Sequence, residues 1–411
     1  MATRKAWGPI LDSICDSFEF LVGGSADLEP SNVTTGFANR VKDFTKENHN
    51  GRNFAYGVRE FPMGVINNGI AQHGGLKVFG ATFFAFSDYE RPALRLRSLQ
   101  KLPVITEYTH DSIYVGEDGP THQPIEHLMS YRAIPNLLVL RPADANEAVV
   151  ASRIAFEQKK RPSLVLLTRQ GIPVFDRDKY PDPCSFEKGG YIMSDSDSPD
   201  VMILSTGSEV WVSLDAKDLL INNGYNVKVV SLGCWELFDE QSEEYQQNVL
   251  KCNNNTLIVS VESGITSGWQ KYTGRNGLNI GINTFGKSVS NETGYRKHIN
   301  NVISHPKKSA EKVRTSNCKN TQKKGKAGSQ SSANPTCLSS PLKNNENDRK
   351  GNRHKKKYEN KKDRKLLKNC IWYDIKKSID KLTEKYRDLD NKNVEVLGIL
   401  ETLDNIAFKQ M

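Results

Sequence analysis

Two histidines, two aspartates and a glutamate fall between Thr109 and Pro124: His110, Asp111, Glu117, Asp118 and His122. Imidazoles and carboxylates at this density can bind hydroxyls and move protons. A helix would scatter these side chains around its axis, and a strand would split them between two faces. Gly116, Gly119 and Pro120 break both patterns, and a loop can aim its side chains at one point. His110, Asp118 and His122 can then converge on a small polyhydroxylated or phosphorylated ligand. The mostly apolar run Leu102, Pro103, Val104, Ile105 and Thr106 leads into the segment, as a strand feeds an active-site loop.

Other groups are ambiguous on residue type alone. Glu60 opens an apolar-periodic stretch, where a carboxylate is stabilised by the helix dipole. Phe83, Phe86 and Tyr89 recur every three residues, a spacing that by itself predicts core packing on one face of a short helical or turn segment. Arg4 and Arg169 offer planar forks suited to phosphate oxygens, but either can be an ordinary surface charge.

The elements that would position these groups alternate. Helical patterns cover Ile10 to Phe18, Met63 to His73, the stretch from Ala93 to Leu99, and Asn146 to Gln158. Strand patterns cover residues 20–23, 54–58, 77–81, 103–106, 137–140 and 163–168. Such alternation predicts a doubly wound α/β domain over residues 1–180, with a mainly parallel sheet and functional loops at the carboxyl ends of its strands. A second α/β unit is expected over residues 188–303. Its strand patterns begin at Val201, Val227 and Thr256, and Thr206 or Ser208 can open the helix after the first.

The chain has 411 residues and a net charge of +9, unevenly placed. Residues 306–368 hold 20 Lys+Arg against 5 Asp+Glu, a net of +15, which leaves −6 for the rest. The basic character thus belongs to one segment, and reading the whole protein as nucleic-acid binding would average over that contrast. Residues 304–368 form a basic low-complexity segment with little to bury, so disorder is expected there. Residues 369–411 regain an apolar helical face through Ile371, Ile375, Ile379, Leu382, Tyr386 and Leu389. The seven cysteines are scattered, without a Cys-x-x-Cys pair, and their odd number argues against a closed disulfide framework. No apolar run is long enough for a bilayer and the first residues lack a signal-peptide core. The expectation is therefore a cytoplasmic protein with no membrane partner.

The segment from Thr109 to Pro124 resembles the signature of the transketolases. Four further stretches resemble that family in the same order: residues 23–28, 56–60, 82–89 and 168–173. Five motifs in register are far more specific than one. The similarity runs from Ala2 to about Ser290 and is strongest up to Pro173. It frays after Phe285, where Gly286, Lys287, Ser288 and Val289 replace a more glycine-rich turn, and it does not reach the tail.

The resemblance implies transfer of a two-carbon ketol unit between sugar phosphates, in the pentose phosphate pathway, with thiamine diphosphate as cofactor. Glu60 matches the carboxylate that hydrogen-bonds the aminopyrimidine ring and favours the tautomer that removes the thiazolium C2 proton. Phe83, Phe86 and Tyr89 match the aromatic pocket around that ring. Asp27 matches a residue facing the cofactor-binding partner domain. Arg4, Ser31, His122 and Arg169 match phosphate and substrate contacts, and His110 and Asp118 match groups that read hydroxyls near the reacting carbons. Glu60, His110 and His122 are the expected catalytic set. Tyr114 departs from the family, standing where a glycine is common.

Residues 188–303 resemble the third transketolase domain, which supports dimer assembly. No Gly-Asp-Gly metal motif occurs in the chain. The resemblance therefore implies a C-terminal half: Mg2+ or Ca2+ and the diphosphate would be held on a missing N-terminal domain or a partner. A homodimer, or a complex with a diphosphate-binding subunit, is expected, and the chain alone would be inactive. Alternatives are another thiamine-diphosphate enzyme, either a deoxyxylulose-phosphate synthase or a 2-oxoacid dehydrogenase β subunit. A further one is a non-catalytic remnant whose basic tail binds nucleic acid or other polyanions.

Overall fold

Runs of Val, Ile, Leu and Phe buried on both faces of a sheet require helices on each side. That demand shapes the computed structural model, which describes residues 1–288. The basic segment and the apolar helical pattern after it lie outside the described residues.

The first unit has five strands: β1 (Leu21–Ser25), β2 (Lys77–Phe83), β3 (Ile105–Thr109), β4 (Leu138–Leu140) and β5 (Ser163–Leu167). They pair in the order β1-β2-β3-β5-β4, all parallel. Seven helices connect and flank them: α1 (Arg4–Ile14), α2 (Glu29–Asn32), α3 (Thr35–Val41), α4 (Glu60–His73), α5 (Ser87–Leu99), α6 (His127–Arg132) and α7 (Ala145–Glu157). The second unit pairs β6 (Tyr191–Ser194), β7 (Val201–Ser205), β8 (Val227–Ser231), β9 (Leu257–Val261) and β10 (Leu278–Ile280) in the order β10-β9-β7-β8-β6. Only its edge strand β6 runs antiparallel. Helices α8 (Glu209–Asn222), α9 (Trp235–Asp239), α10 (Glu243–Val249) and α11 (Gln270–Thr273) accompany it. The α/β class with mainly parallel sheets is as expected from the alternating pattern.

Three local expectations differ. Residues 54–58 form no strand: only Asn53 bridges to Gly23 and Asp43, and the chain then runs irregularly to α4. The stretch meets β1 only at its start, where the Phe54 N–H donates to the Gly23 carbonyl at 2.8 Å; beyond it Phe54 packs on Tyr56 at 5.8 Å and the Tyr56 hydroxyl donates to Asn67 Oδ1 at 2.6 Å. The first helix begins at Arg4 and ends at Ile14. Its start is drawn forward by Thr3, whose backbone N–H donates to Thr168 Oγ1 at 3.0 Å. Ser208 does stand at the start of α8, but its hydroxyl donates to Glu209 Oε1 (2.7 Å) instead of capping the helix.

One hydrophobic cluster runs from Trp7, Leu11, Phe37 and Phe79 of the first unit to Ile203 and Val259 of the second. Phe79 meets Phe37 edge-on at 5.1 Å and Trp7 at 6.2 Å. No helix among the described residues is long and apolar enough to cross a membrane. Cys15, Cys184, Cys234 and Cys252 are free thiols.

On the other side of the first sheet a polar network is locked in the interior. Arg97 donates to Glu90 Oε1 (2.6 Å), Asn68 Oδ1 (2.8 Å), Thr106 Oγ1 (2.6 Å) and the Gly64 carbonyl (3.2 Å). Tyr108 donates to the other oxygen of Glu90 at 2.6 Å. The network fastens α4, α5 and β3 together with no exposed charge. Removing one partner of such a pair leaves an uncompensated buried charge, whereas replacing both is often close to neutral. Arg97→Met should therefore destabilise the protein by about 3–5 kcal/mol. Glu90→Leu combined with Arg97→Met should recover most of that loss. Urea denaturation midpoints of the two variants check this, and equal losses would count against it.

Candidate active site

The site is built at the carboxyl ends of β1, β2, β3 and β5. His110 follows β3 directly, and its backbone is left-handed at φ +60°, a strained conformation for a non-glycine residue. A chain of hydrogen bonds holds it there. Asn32 Nδ2 donates to Ser25 Oγ at 2.8 Å, and the Thr109 hydroxyl donates to Asn32 Oδ1 at 2.8 Å. Thr109 Oγ1 lies 2.8 Å from His110 Nδ1. Because that hydroxyl spends its proton on Asn32, Nδ1 must be the donor, which leaves Nε2 as the open acceptor.

The imidazole of His110 stacks on Phe83, with ring centroids 3.7 Å apart. Phe83 stacks on Phe86 at 5.6 Å and Phe86 leans on Tyr89 at 6.2 Å. His122 meets Phe86 edge-on at 5.0 Å and Phe83 at 6.3 Å. The aromatic run is therefore a graded wall and not wholly core packing. Phe83 is buried, Phe86 is half-buried and Tyr89 is 65 % exposed.

Cations gather beside it. Thr3 and Thr168 exchange hydrogen bonds, which brings the start of α1 to the end of β5 and so Arg4 to Arg169. Arg4 Nη1 donates to the Ser31 carbonyl at 2.5 Å, so Ser31 contributes its backbone here. Burial, then the like charge of Arg169, lowers the Arg4 pKa, with Glu107 acting against them. Burial, then Arg4, Arg169 and His122, pushes His110 down to about 3. His110 is thus a neutral imidazole at ordinary pH.

Glu60 opens α4 and is buried. Burial raises its carboxyl pKa, its own backbone N–H opposes this, and the nearby Glu90 adds to the rise. It follows irregular chain and not a strand. Asp27 is exposed at φ +63°, directly after the short stretch that ends β1. Asp118 is exposed at the end of a 3-10 turn over Ile113–Asp118. Neither is joined by a hydrogen bond to the histidine and arginine group. Tyr114, in the same turn, is buried.

Two supporting residues, Asn32 and Arg141, escaped the sequence pattern; Asp111 and Thr168 stood inside it, but their partners did not show. Arg141 Nε donates to Asp111 Oδ2 at 2.9 Å, and its Nη1 donates to the Thr206 carbonyl at 3.0 Å and to Glu209. An arginine directly after the apolar run 137–140 was the available signal, since a charge at a strand's carboxyl end points to a site.

This fold and site define the class: the pyrimidine-binding and C-terminal domains of the transketolase type. Residues 1–174 match the transketolase pyrimidine-binding domain family, and residues 189–299 match the transketolase-like C-terminal domain family. The chain belongs to the transketolase family through these two domains. The transketolase of Aquifex aeolicus is 50% identical over 290 residues, which cover 70% of this chain and 42% of that protein. The solved transketolase of Leishmania mexicana is 38% identical, with a TM-score of 0.68, covering 72% of this chain and 43% of its own. The chain thus spans less than half the length of these relatives. A solved split-gene transketolase, described as an inactive tetramer, is 24% identical with a TM-score of 0.55. It covers 69% of this chain and 90% of its own, and shows the shared fold.

The titration of His110 can be tested. Its folded pKa, about 3, lies below the ordinary value of 6.5. Between these values the unfolded chain binds more protons, so this group removes stability as pH falls from about 6.5 towards 3 and contributes nothing above. The slope is at most about 1.4 kcal/mol per pH unit. NMR titration should keep the His110 ring in its neutral form down to about pH 4, and His110→Gln should flatten that part of the stability profile. A ring that protonates near pH 6.5 would overturn the assignment.

Proposed function

We propose that residues 1–288 form the pyrimidine-binding half of a transketolase active site. The complete site moves a two-carbon ketol unit between sugar phosphates with thiamine diphosphate. A diphosphate-binding region outside these residues completes it, together with Mg2+ or Ca2+. That region can belong to the same protein or to a separate subunit, in a dimer or a larger complex.

The observation that carries this reading is the buried Glu60 at the start of α4, a helix packed on the α5 that bears Tyr89, with Glu60 near enough to Glu90 to feel its charge. The residues suit the cofactor's pyrimidine ring. A carboxyl group raised by burial can hydrogen-bond a ring nitrogen. Flat aromatic faces suit a planar heterocycle. When bound, the cofactor supplies the thiazolium carbon at which bonds to the sugar carbonyl are made and broken. Glu60 would hold the proton facing the ring nitrogen, and Asp27 would face the completing region.

Substrate handling follows from charge and tautomer. Arg4, Arg169 and His122 would hold the phosphate end, with Ser31 fixing Arg4 through its carbonyl. His110 Nε2 would accept a hydrogen bond from a sugar hydroxyl, and Asp118 would read a second hydroxyl. His110 suits this role because it stays neutral.

The outward faces of α4 and α5 support the need for a completing region. Val58 is 74 % exposed and Leu99 69 % exposed, and Phe61, Val65, Ile66 and Leu96 are also exposed. Val58 lies just before α4 and Leu99 ends α5 away from the site, so the exposed apolar side chains follow the length of both helices and suit an interaction surface.

The test is a complementation assay. The purified chain, with thiamine diphosphate, Mg2+, a ketose-phosphate donor and an aldose-phosphate acceptor, should show no transfer alone. Adding a transketolase diphosphate-binding domain should restore transfer. Glu60→Gln should then reduce the rate by about 10²–10⁴-fold. Transfer by the chain alone would refute the need for completion, and a fully active Glu60→Gln complex would refute the role of Glu60.

A further inference from the structure

Outside the site just described, Asp88, Glu126 and His127 bring three metal-ligating side chains together, with ligand atoms all within 4.8 Å of one another. Asp88 lies in the first turn of α5, whereas Glu126 and His127 stand at the start of α6. His127 is only 6 % exposed, packed at 5.5 Å from the ring of Phe84. Neither of its ring nitrogens has a hydrogen-bond partner among the described residues. A buried imidazole left in this way costs stability, so such groups call for an explanation.

The neighbouring carboxylates do not meet that need as hydrogen bonds. His127 Nε2 lies 3.2 Å from Asp88 Oδ2 and Nδ1 lies 3.8 Å from Glu126 Oε2. A separation near 3.2 Å is what two ligands of one tetrahedral ion require, since bonds of about 2.0–2.2 Å place ligand atoms roughly 3.3–3.5 Å apart. The imidazole is fixed by its packing, and an ion on Nε2 takes Asp88 directly; Glu126 faces Nδ1 and, being exposed, can swing to the Nε2 side to close the third position. Arg91, one turn along α5, is already engaged: it donates to Ser130 Oγ at 2.9 Å and lies over the ring of Tyr131.

We propose that Asp88, Glu126 and His127 bind a divalent transition-metal ion of the zinc class. One imidazole with two carboxylates suits Zn2+ or Co2+ better than Mg2+, which prefers oxygen ligands and retained water. The ion links the first turn of α5 to α6. Tyr89, the exposed end of the aromatic wall, is the residue after Asp88. The site therefore clamps the helix whose first turn carries Tyr89, and it is separate from any metal on a diphosphate.

The experiment uses the full chain stripped of metal. Equilibrium dialysis against micromolar Zn2+, followed by metal analysis, should give one ion per chain that depends on His127. Co2+ should produce a visible absorption band of tetrahedral character. His127→Gln and the surface change Asp88→Asn should each weaken binding at least about tenfold. Equal affinity in the original chain and both variants would place the ion elsewhere and overturn the proposal. So would absence of binding, which would leave a plain Asp88–His127 ion pair. Metal content is read without any activity, so failure here is independent of the transketolase reading.

Discussion

The buried guanidinium of Arg141 is the constraint on which much else depends. An unpaired charge in the interior would cost several kcal/mol, so the surrounding chain must supply acceptors, and it does so at Nε and Nη1 while Nη2 has none among the described residues. Asp111 comes from the loop after β3, and Thr206 and Glu209 come from the second unit. Burial alone would lower the pKa of Arg141, but Glu209 and Asp111, with Glu262, more than offset it and hold the charge. The approach is so close that a Cβ at Gly207 would stand 2.7 Å from the guanidinium carbon, and Gly207 is itself at φ +53°. A side chain there would push the arginine off its acceptors.

Asp111 follows His110, and this adjacency passes the constraint to the site. With Asp111 tied to Arg141 and Thr109 tied to Asn32, the residue between them has little freedom. The left-handed backbone of His110 is thus held from both sides, which is how strain of this kind persists. The second unit contributes to the site indirectly, by anchoring its loop. A parallel clamp joins the units at Glu262, which accepts both nitrogens of Arg132 at 2.8 and 2.9 Å and Trp269 Nε1 at 3.0 Å. Burial raises the Glu262 carboxyl pKa, but Arg132 and Arg141 more than reverse this, so the carboxylate stays ionised.

The two faces of the first sheet divide the work. Thr106 and Tyr108 of β3 serve the Glu90–Arg97 network, which stiffens α4 and α5 from beneath. That network explains how the two acids next to Tyr89 are accommodated: Glu90 turns inward to Arg97, whereas Asp88 stays exposed. The spacing of Phe83, Phe86 and Tyr89 alone suggested core packing, and for Phe83 that is half right. Its ring is buried, yet one face is covered by His110 and not by an aliphatic core.

Strand and helix periodicity was local information, so the alternation, the parallel class and the loop after β3 were legible in the sequence. So were the types of residue that could meet there: His110, His122, Arg4, Arg169, Glu60 and the three aromatics. Their resemblance to one family was legible for the same reason, since five motifs kept their order along the chain. Pairings between distant residues were not legible. Thr3 and Thr168 lie 165 positions apart, and Arg141 and Glu209 lie 68 apart. Which nitrogen of His110 carries the proton depends on Asn32, which depends on Ser25, so no single position announces it. The false strand at 54–58 has the same origin. Its residues suit a strand, but a strand needs a neighbour to pair with, and pairing stops once the Phe54 N–H has met the Gly23 carbonyl. The sequence by itself determined which chemistry was available and in what kind of layer. The tertiary structure alone decided which groups meet and in which protonation state, because burial and pairing belong to neighbours that the linear order does not show.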